Sequence, residues 1–216
     1  MREDLILASK SPRRRELLSQ MGLRFAVCAV DVEECLGPGE APADYACRVA
    51  LDKARAGVAA IAATVHADLP VLGADTDVVV DGDILGKPAD RAHALAMLRR
   101  LSNRTHQVYS AVAVVQRRDG VEQVRTQLAV TDVRFGVVTP EQAEAYWATG
   151  EPADKAGAYG IQGLGAAFVE DIRGSYSGVV GLPLFQTCEV LRAFGLDVLD
   201  RARTRDASPV RSRIQP

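Results

Sequence analysis

The sequence predicts a chain of alternating strands and helices, forming one large domain or two lobes that share a cleft. Three observations carry this. With 216 residues, 48% hydrophobic and 25% charged, there is enough apolar material for a sizeable core. Short β-branched and apolar runs at 5–8, 71–80, 107–115 and 123–135 read as strands. Between them lie segments of helical period, opened by Ser11-Pro12, Asp90 and Thr139-Pro140.

Leu5-Ile6-Leu7-Ala8 has the form of a buried strand. It leads into Ser9-Lys10-Ser11-Pro12-Arg13-Arg14, where Ser11 suits an N-cap and Pro12 the first helical position. Leu17, Leu18 and Met21 supply the inward stripe, and Gly22 ends the helix. Free N–H groups and the helix dipole favour an anion at this N-terminus. Arg13 and Arg14 add donors matched to phosphate oxygens, although cations oppose the dipole there. That local conflict points to a phosphate site rather than to a solvated basic turn.

A second strand follows around Phe25-Ala26-Val27, then Asp31-Val32-Glu33-Glu34 and the loop Gly37-Pro38-Gly39. Glu33 and Glu34 are open to two readings, a metal-ligand acid or a solvated loop. An alanine-rich helix over about 43–63 turns Tyr45, Val49, Ala50, Ala54, Val58 and Ile61 inward, with Lys53 beside that face and expected to snorkel.

The central stretch is Val71–Val80, an Asp81-Gly82 hairpin turn, and a short return strand stopped at Gly86-Lys87-Pro88. Asp75 and Asp77 fall on one face, about 6.5–7 Å apart along the strand. A carboxylate buried in a strand needs a cation, a metal or hydrogen-bond donors. On this stretch alone a site and a strand end open to water stand level.

Asp90 caps a helix over about 91–101, with Ala92, Leu95, Ala96 and Leu98 inward. Arg117-Arg118-Asp119-Gly120 joins two long strands, and Thr139-Pro140-Glu141-Gln142 has capping-box form ahead of a helix closing at Gly150. Gly150, Gly157, Gly160 and Gly163 punctuate a loop in which Gln162 offers an amide suited to a base edge. Tyr159 is expected to plug the core rather than to stack on a ligand. After a strand at 168–172, Gly181-Leu182-Pro183-Leu184 opens a last helix that buries Phe185, Val190, Leu191 and Phe194 and stops at Gly195.

The net charge of −2 is uneven. Arg201, Arg203, Arg205, Arg211 and Arg213 face only Asp206, so the body before them is acidic. An acidic body argues against a broad nucleic-acid surface and requires any anion site to be a focused cluster. Cys28, Cys35, Cys47 and Cys188 show no metal or redox spacing, and reduced thiols are expected. His66, His93 and His106 read as surface or packing residues. The N-terminus lacks signal-peptide form and no run suits a membrane span, so a soluble, cytoplasmic protein without membrane or nucleic-acid partners is expected.

Three stretches taken together resemble the Maf family of nucleoside triphosphate pyrophosphatases. They are Ser-Lys-Ser-Pro-Arg-Arg at 9–14, Gly-Ala-Asp-Thr at 73–76 with Gly-Lys-Pro at 86–88, and Asp154–Gly163 followed by Gly181-Leu182-Pro183-Leu184. The similarity runs from about Leu5 to Leu199. It implies an α/β fold related to inosine triphosphatases: an elongated mixed β-sheet with flanking helices and two lobes around a central cleft. One such domain would span 1–200, with a basic, flexible tail at 201–216. The resemblance also implies cleavage between the α- and β-phosphates, giving a nucleoside monophosphate and pyrophosphate in a house-cleaning role.

The stretch Asp154–Gly163 is similar to the dTTP/UTP branch rather than to the 7-methyl-GTP branch; modified pyrimidine nucleotides are further candidate substrates. By that resemblance Asp75 is the proton acceptor, and Arg13, Thr76 and Gln162 set substrate choice. Ser9, Ser11, Arg14, Lys53 and Lys87 line the phosphate path, Asp75 and Glu34 face a divalent cation, Mg²⁺ or Mn²⁺, and a homodimer is implied. Asp77 departs from the Val or Ile usual in the family, Asn103 from Gly and Ser110 from Thr. Two competing readings are a nucleotide-binding regulator of septum formation with little turnover, and a nucleic-acid module using the tail arginines.

Overall fold

The computed structural model describes residues 3–201. Apart from Arg201, the expected arginine-rich tail lies outside the described residues. Strands β1 (Leu5–Leu7), β2 (Phe25–Val27) and β3 (Val71–Val80) run parallel, with β1 between the other two. Helix α1 (Pro12–Gln20) joins β1 to β2, and α2 (Pro42–Ile61) joins β2 to β3. Leu17 and Leu18 of α1 pack with Leu5, Leu7, Leu72 and Ala74. Ala46, Ala50, Ala54 and Val58 of α2 pack with Ile6, Ala8 and Val71, the residues alternating onto the other side. The two helices therefore cover opposite faces, and the end of β1 is a topological switch point, the usual place for a ligand in an α/β sheet.

Beyond β3 the sheet turns antiparallel through β5 (Thr105–Arg118), β6 (Val121–Phe135) and β7 (Val169–Arg173). Strand β4 (Asp83–Leu85) returns from the Asp81-Gly82 turn to pair with Val78–Val80. The result is a seven-stranded mixed sheet in the order β2-β1-β3-β5-β6-β7, with β4 beside β3. On one edge of β3, β1 pairs only with Val71 and Leu72, and β4 only with Val78–Val80. Gly73 to Asp77 are left without a strand on that edge among the described residues.

On the α1 face the core divides. Leu72 and Ala74 join Val112, Val114 and the Val190 and Leu191 of α6 (Leu184–Arg192). Val78 and Val80 join Met97, Leu98 and Leu101 of α3 (Arg91–Leu101), Tyr146 of α4 (Pro140–Ala148), Phe135 and Tyr159. Thr76 stands between the two clusters. No described helix is long and apolar enough to cross a membrane.

The caps form as the sequence predicts. Ser11, Asp90 and Thr139 accept from Arg14 N, His93 N and Gln142 N, the last within a full capping box. Two inward stripes differ from expectation. In α3 it is Ala94, Met97, Leu98 and Leu101 that are buried, while Ala92 and Ala96 are exposed. The alanines do not reveal the helix phase; Met97 and Leu101, the bulkier side chains, set it. Phe185 is 71% exposed, because the 3.6-residue period turns it away from the Thr187–Val190–Leu191 stripe. The short helix α5 (Tyr176–Val180) and the 3₁₀ turns between Glu151 and Phe168 were not foreseen.

Tyr159 fills the core as expected, edge-on to Phe135 at 4.7 Å between ring centroids, with its hydroxyl 2.8 Å from His106 Nε2. His106 is a packing histidine whose Nδ1 is buried without a partner. Burial pushes its pKa down to about 4. The unfolded chain, with an ordinary histidine, then binds more protons between about pH 6.5 and pH 4, so stability from neutral His106 is complete above that window and lost on acidification through it. His106→Gln keeps a side-chain amide facing Tyr159 and removes the titration. Urea denaturation should show the variant's deficit shrinking by on the order of 3 kcal/mol between about pH 7 and pH 4; parallel pH profiles would contradict this account.

Candidate active site

The segment after β1 builds the basic side. Ser9 Oγ accepts from Ser11 N at 3.2 Å and from Arg14 Nη1 at 3.4 Å. Arg14 Nε donates to Gly181 O at 2.8 Å and Nη2 to Thr76 Oγ1 at 3.3 Å. Thr76 Oγ1 lies 3.1 Å from Ser110 Oγ on the paired strand and donates to Gly181 O at 3.3 Å. Every contact of the Arg14 guanidinium is thus to a neutral oxygen, and among the described residues no carboxylate lies within ion-pair distance of it. Burial lowers its pKa, against the attraction of Asp75, Glu34 and Asp77. A guanidinium nonetheless stays protonated in proteins, so Arg14 is a fixed cation without a bonded anion.

The acidic side depends on how closely α2 lies on β3. Gly73, Asp75 and Asp77 alternate onto the α2 face. A Cβ at Gly73 would sit 2.3 Å from Ala50 O and 2.5 Å from Ala54 N, so the helix backbone rests on the strand itself. Lys53, one helical step from these contacts, then meets Asp75 Oδ1 and Glu34 Oε1, each at 2.7 Å. Its side chain is only 11% exposed, so it does not snorkel as the sequence suggested. The physical reason is that two carboxylates receive its ammonium before it reaches water. Tyr45 Oη donates to Glu34 O at 2.9 Å and ties that loop to α2.

Asp75 and Asp77 are both buried, at 6% and 8% exposure, which rules out a strand end open to water. Asp77 Oδ2 has no hydrogen-bond partner. Burial first, and the neighbouring Asp75 second, hold the Asp77 carboxyl well above the usual carboxylate range.

Arg14 and Thr76 lie on the α1 face of β3, Lys53 and Asp75 on the α2 face. Across the edge of β3 from Gly73 to Asp77, which no described strand covers, Arg14 is close enough to feel the charges of Asp75 and Glu34. Two further segments border this edge. Arg13 Nη1 is 3.6 Å from Asp154 Oδ2 of the glycine-rich loop, and Gly157 N donates to Gly86 O at 3.1 Å, joining that loop to the turn that carries Lys87. Lys87 and Gln162 are exposed, and their side chains make no hydrogen bond or ion pair to the cluster among the described residues.

Ser9, Ser11, Arg14, Thr76, Lys53, Asp75 and Glu34 are therefore brought together. Arg13 is tied to the loop, and Lys87 and Gln162 are exposed without a bond to the cluster among the described residues. Sequence reasoning gave no role to the Gly181 carbonyl, to Asp154 as the partner of Arg13, or to Gly73 as the point of close approach. A glycine inside a β-branched strand was the available signal for the last. Two other cavities, of about 580 Å³ beside Arg48 and about 340 Å³ between α3 and α4, are lined by none of these residues, although the larger is lined by the chain neighbours of Glu34 and Lys53. Glu33, Glu40 and Asp52 in the larger one oppose a polyanion.

Among the described residues no three His, Cys, Asp or Glu side chains form a ready-made metal cage. Adjacent carboxylates, one with a buried oxygen lacking a donor, still fit a hard cation that takes one or two carboxylates and completes its shell with phosphate oxygens and water.

A family model described as Maf-like protein matches residues 4–194. A relative from Saccharophagus degradans named dTTP/UTP pyrophosphatase is 54% identical over 90% of this chain and 90% of its own length. Relatives of the same name from Methylococcus capsulatus and Alkalilimnicola ehrlichii are 54% identical, over 89% of this chain and 91% of theirs, and 48% identical, over 91% and 95%.

Gly73→Ala should destabilise the fold by about 1–3 kcal/mol, because the added methyl meets helix backbone rather than a movable side chain. Gly86→Ala, whose Cβ would meet nothing within 4 Å, serves as the control and should stay within about 0.5 kcal/mol of the parent in urea denaturation. Equal stability of the two variants would contradict the close approach.

Proposed function

The chain belongs to the Maf family, and on that premise we propose that it hydrolyses dTTP and UTP to the nucleoside monophosphate and pyrophosphate. The observation that carries this reading is Arg14, a cation held by neutral oxygens at the open edge of β3, with the Lys53–Asp75 pair on the opposite face. A cation so held suits a polyanion. Phosphoryl chemistry asks chiefly for positioning and charge neutralisation, which these groups supply.

In this reading Ser9, Ser11, Arg13, Arg14 and Lys87 receive the triphosphate from separate segments. Lys53 orients Asp75 through the 2.7 Å contact, and Asp75 directs water at the α-phosphorus and accepts its proton. A divalent cation, Mg²⁺ or Mn²⁺, would be held by Asp75 and Glu34 and would supply charge neutralisation at the phosphate oxygens. Gln162, exposed on the glycine-rich loop, reads thymine or uracil. Arg13 and Thr76 join it in substrate choice, Arg13 through its tie to the loop and Thr76 through its hold on Arg14. The names of the relatives support the pyrimidine substrates. The four cysteines are free, in keeping with a reducing, cytoplasmic setting.

A panel of nucleoside triphosphates with Mg²⁺ or Mn²⁺ tests this. Pyrophosphate and monophosphate should appear, fastest from dTTP and UTP; orthophosphate as product, or none at all, would refute it. Asp75→Asn should slow turnover by about 10²–10⁴ while the protein remains folded. Gln162→Ala should lose about 1–3 kcal/mol of discrimination against purine nucleotides, read as the ratio of kcat/KM values. An unchanged ratio would remove Gln162 from base recognition.

A further inference from the structure

Asp77 is the buried carboxyl that the reaction scheme leaves without a task. It shares a strand face with Asp75, is 8% exposed, and its Oδ2 is shut off from solvent without a partner. The donors around it are committed elsewhere. Lys53 Nζ is taken by Asp75 and Glu34, and Arg14 by Ser9, Thr76 and Gly181. Tyr45 Oη donates to Glu34 O, and Tyr109, the cross-strand partner of Asp77, donates its hydroxyl to Gln107 Oε1 at 3.0 Å. An apolar β-branched side chain would suit this position in the strand better, as at Val78 and Val79 that follow. Two neighbouring carboxylates with an unclaimed oxygen match the demand of a hard divalent cation, which has no need of a hydrogen bond.

We propose that Asp77 is a second carboxylate ligand for the divalent cation, alongside Asp75. The proposal rests on the reading of this cluster as a metal-assisted phosphate site. It places a stronger metal anchor in this chain than Asp75 and Glu34 give alone, so that the cation binds before the nucleotide arrives. Asp77 then has no role in aiming water; its contribution is affinity for the ion.

The test is Mn²⁺ alone, titrated into the full chain without nucleotide and followed by calorimetry and by the electron paramagnetic resonance of free Mn²⁺. The parent should bind the ion and melt higher with Mn²⁺ than in EDTA. Asp77→Asn should bind at least about tenfold more weakly and lose most of that rise. Asp77→Val, freed of a buried carboxyl oxygen without a donor, should melt above the parent in EDTA. Affinity of Asp77→Asn within about threefold of the parent overturns the proposal, leaving a pair that merely shares a proton. So does a parent that binds no Mn²⁺ without nucleotide. Failure of both variants to fold in EDTA also overturns it, since Asp77 would then be a structural requirement. Hydrolysis by the parent is scored separately: turnover of dTTP with metal affinity insensitive to Asp77 defeats this inference alone, and Asp77-dependent Mn²⁺ binding without turnover defeats the pyrophosphatase reading alone.

Discussion

The contact between α2 and β3 at Gly73 governs the rest of the site. Helix backbone lies directly on strand backbone there, since the space beside Gly73 is filled by Ala50 O and Ala54 N. At an ordinary helix–sheet distance, Lys53 would extend past the strand into water, as long cationic side chains usually do. Brought this close, its ammonium reaches two carboxylates from segments far apart in the chain. Ala46, Ala50, Ala54 and Gly57 on the helix permit the same approach along its length, with Gly57 against Val71 and Ala8.

A second constraint is the gap in the sheet. A fully paired β3 would keep its two faces apart, and residues on opposite faces could not serve one ligand. β1 ends after pairing with Leu72 and β4 begins pairing only at Val78. The chain leaves β1 at this gap through the serine segment and enters the arginine-bearing N-terminus of α1, so the cationic side forms where the edge is open. The same interval separates the two hydrophobic clusters on the α1 face, so Thr76 can bond Arg14 and Ser110 without breaking either core.

Two polar groups in this region are not arranged for stability. Arg14 is bonded only to neutral oxygens, and Asp77 is held among groups whose donors are occupied. Each alone opposes folding, because a buried cation without a bonded counter-charge, or a buried carboxyl without a donor, loses its hydration. The long β5–β6 hairpin and the paired apolar clusters offset that opposition. Conflicts of this kind between local chemistry and fold are expected where a binding site has been built.

Much of this was legible in the residues. Strand and helix periodicity located the main elements, and side chains that act on their own backbone located the caps at Ser11, Asp90 and Thr139. The family motifs named most residues of the cluster in advance. What the residues determined by themselves was local: a basic helix start after β1, two acids alternating onto one strand face, and a glycine-rich loop. Only the tertiary structure decided that Lys53 turns inward, that Asp77 faces no donor, that Gly181 lends its carbonyl to Arg14, and that Phe185 points outward. Those outcomes depend on distances between segments remote in the chain, which periodicity and capping chemistry do not encode.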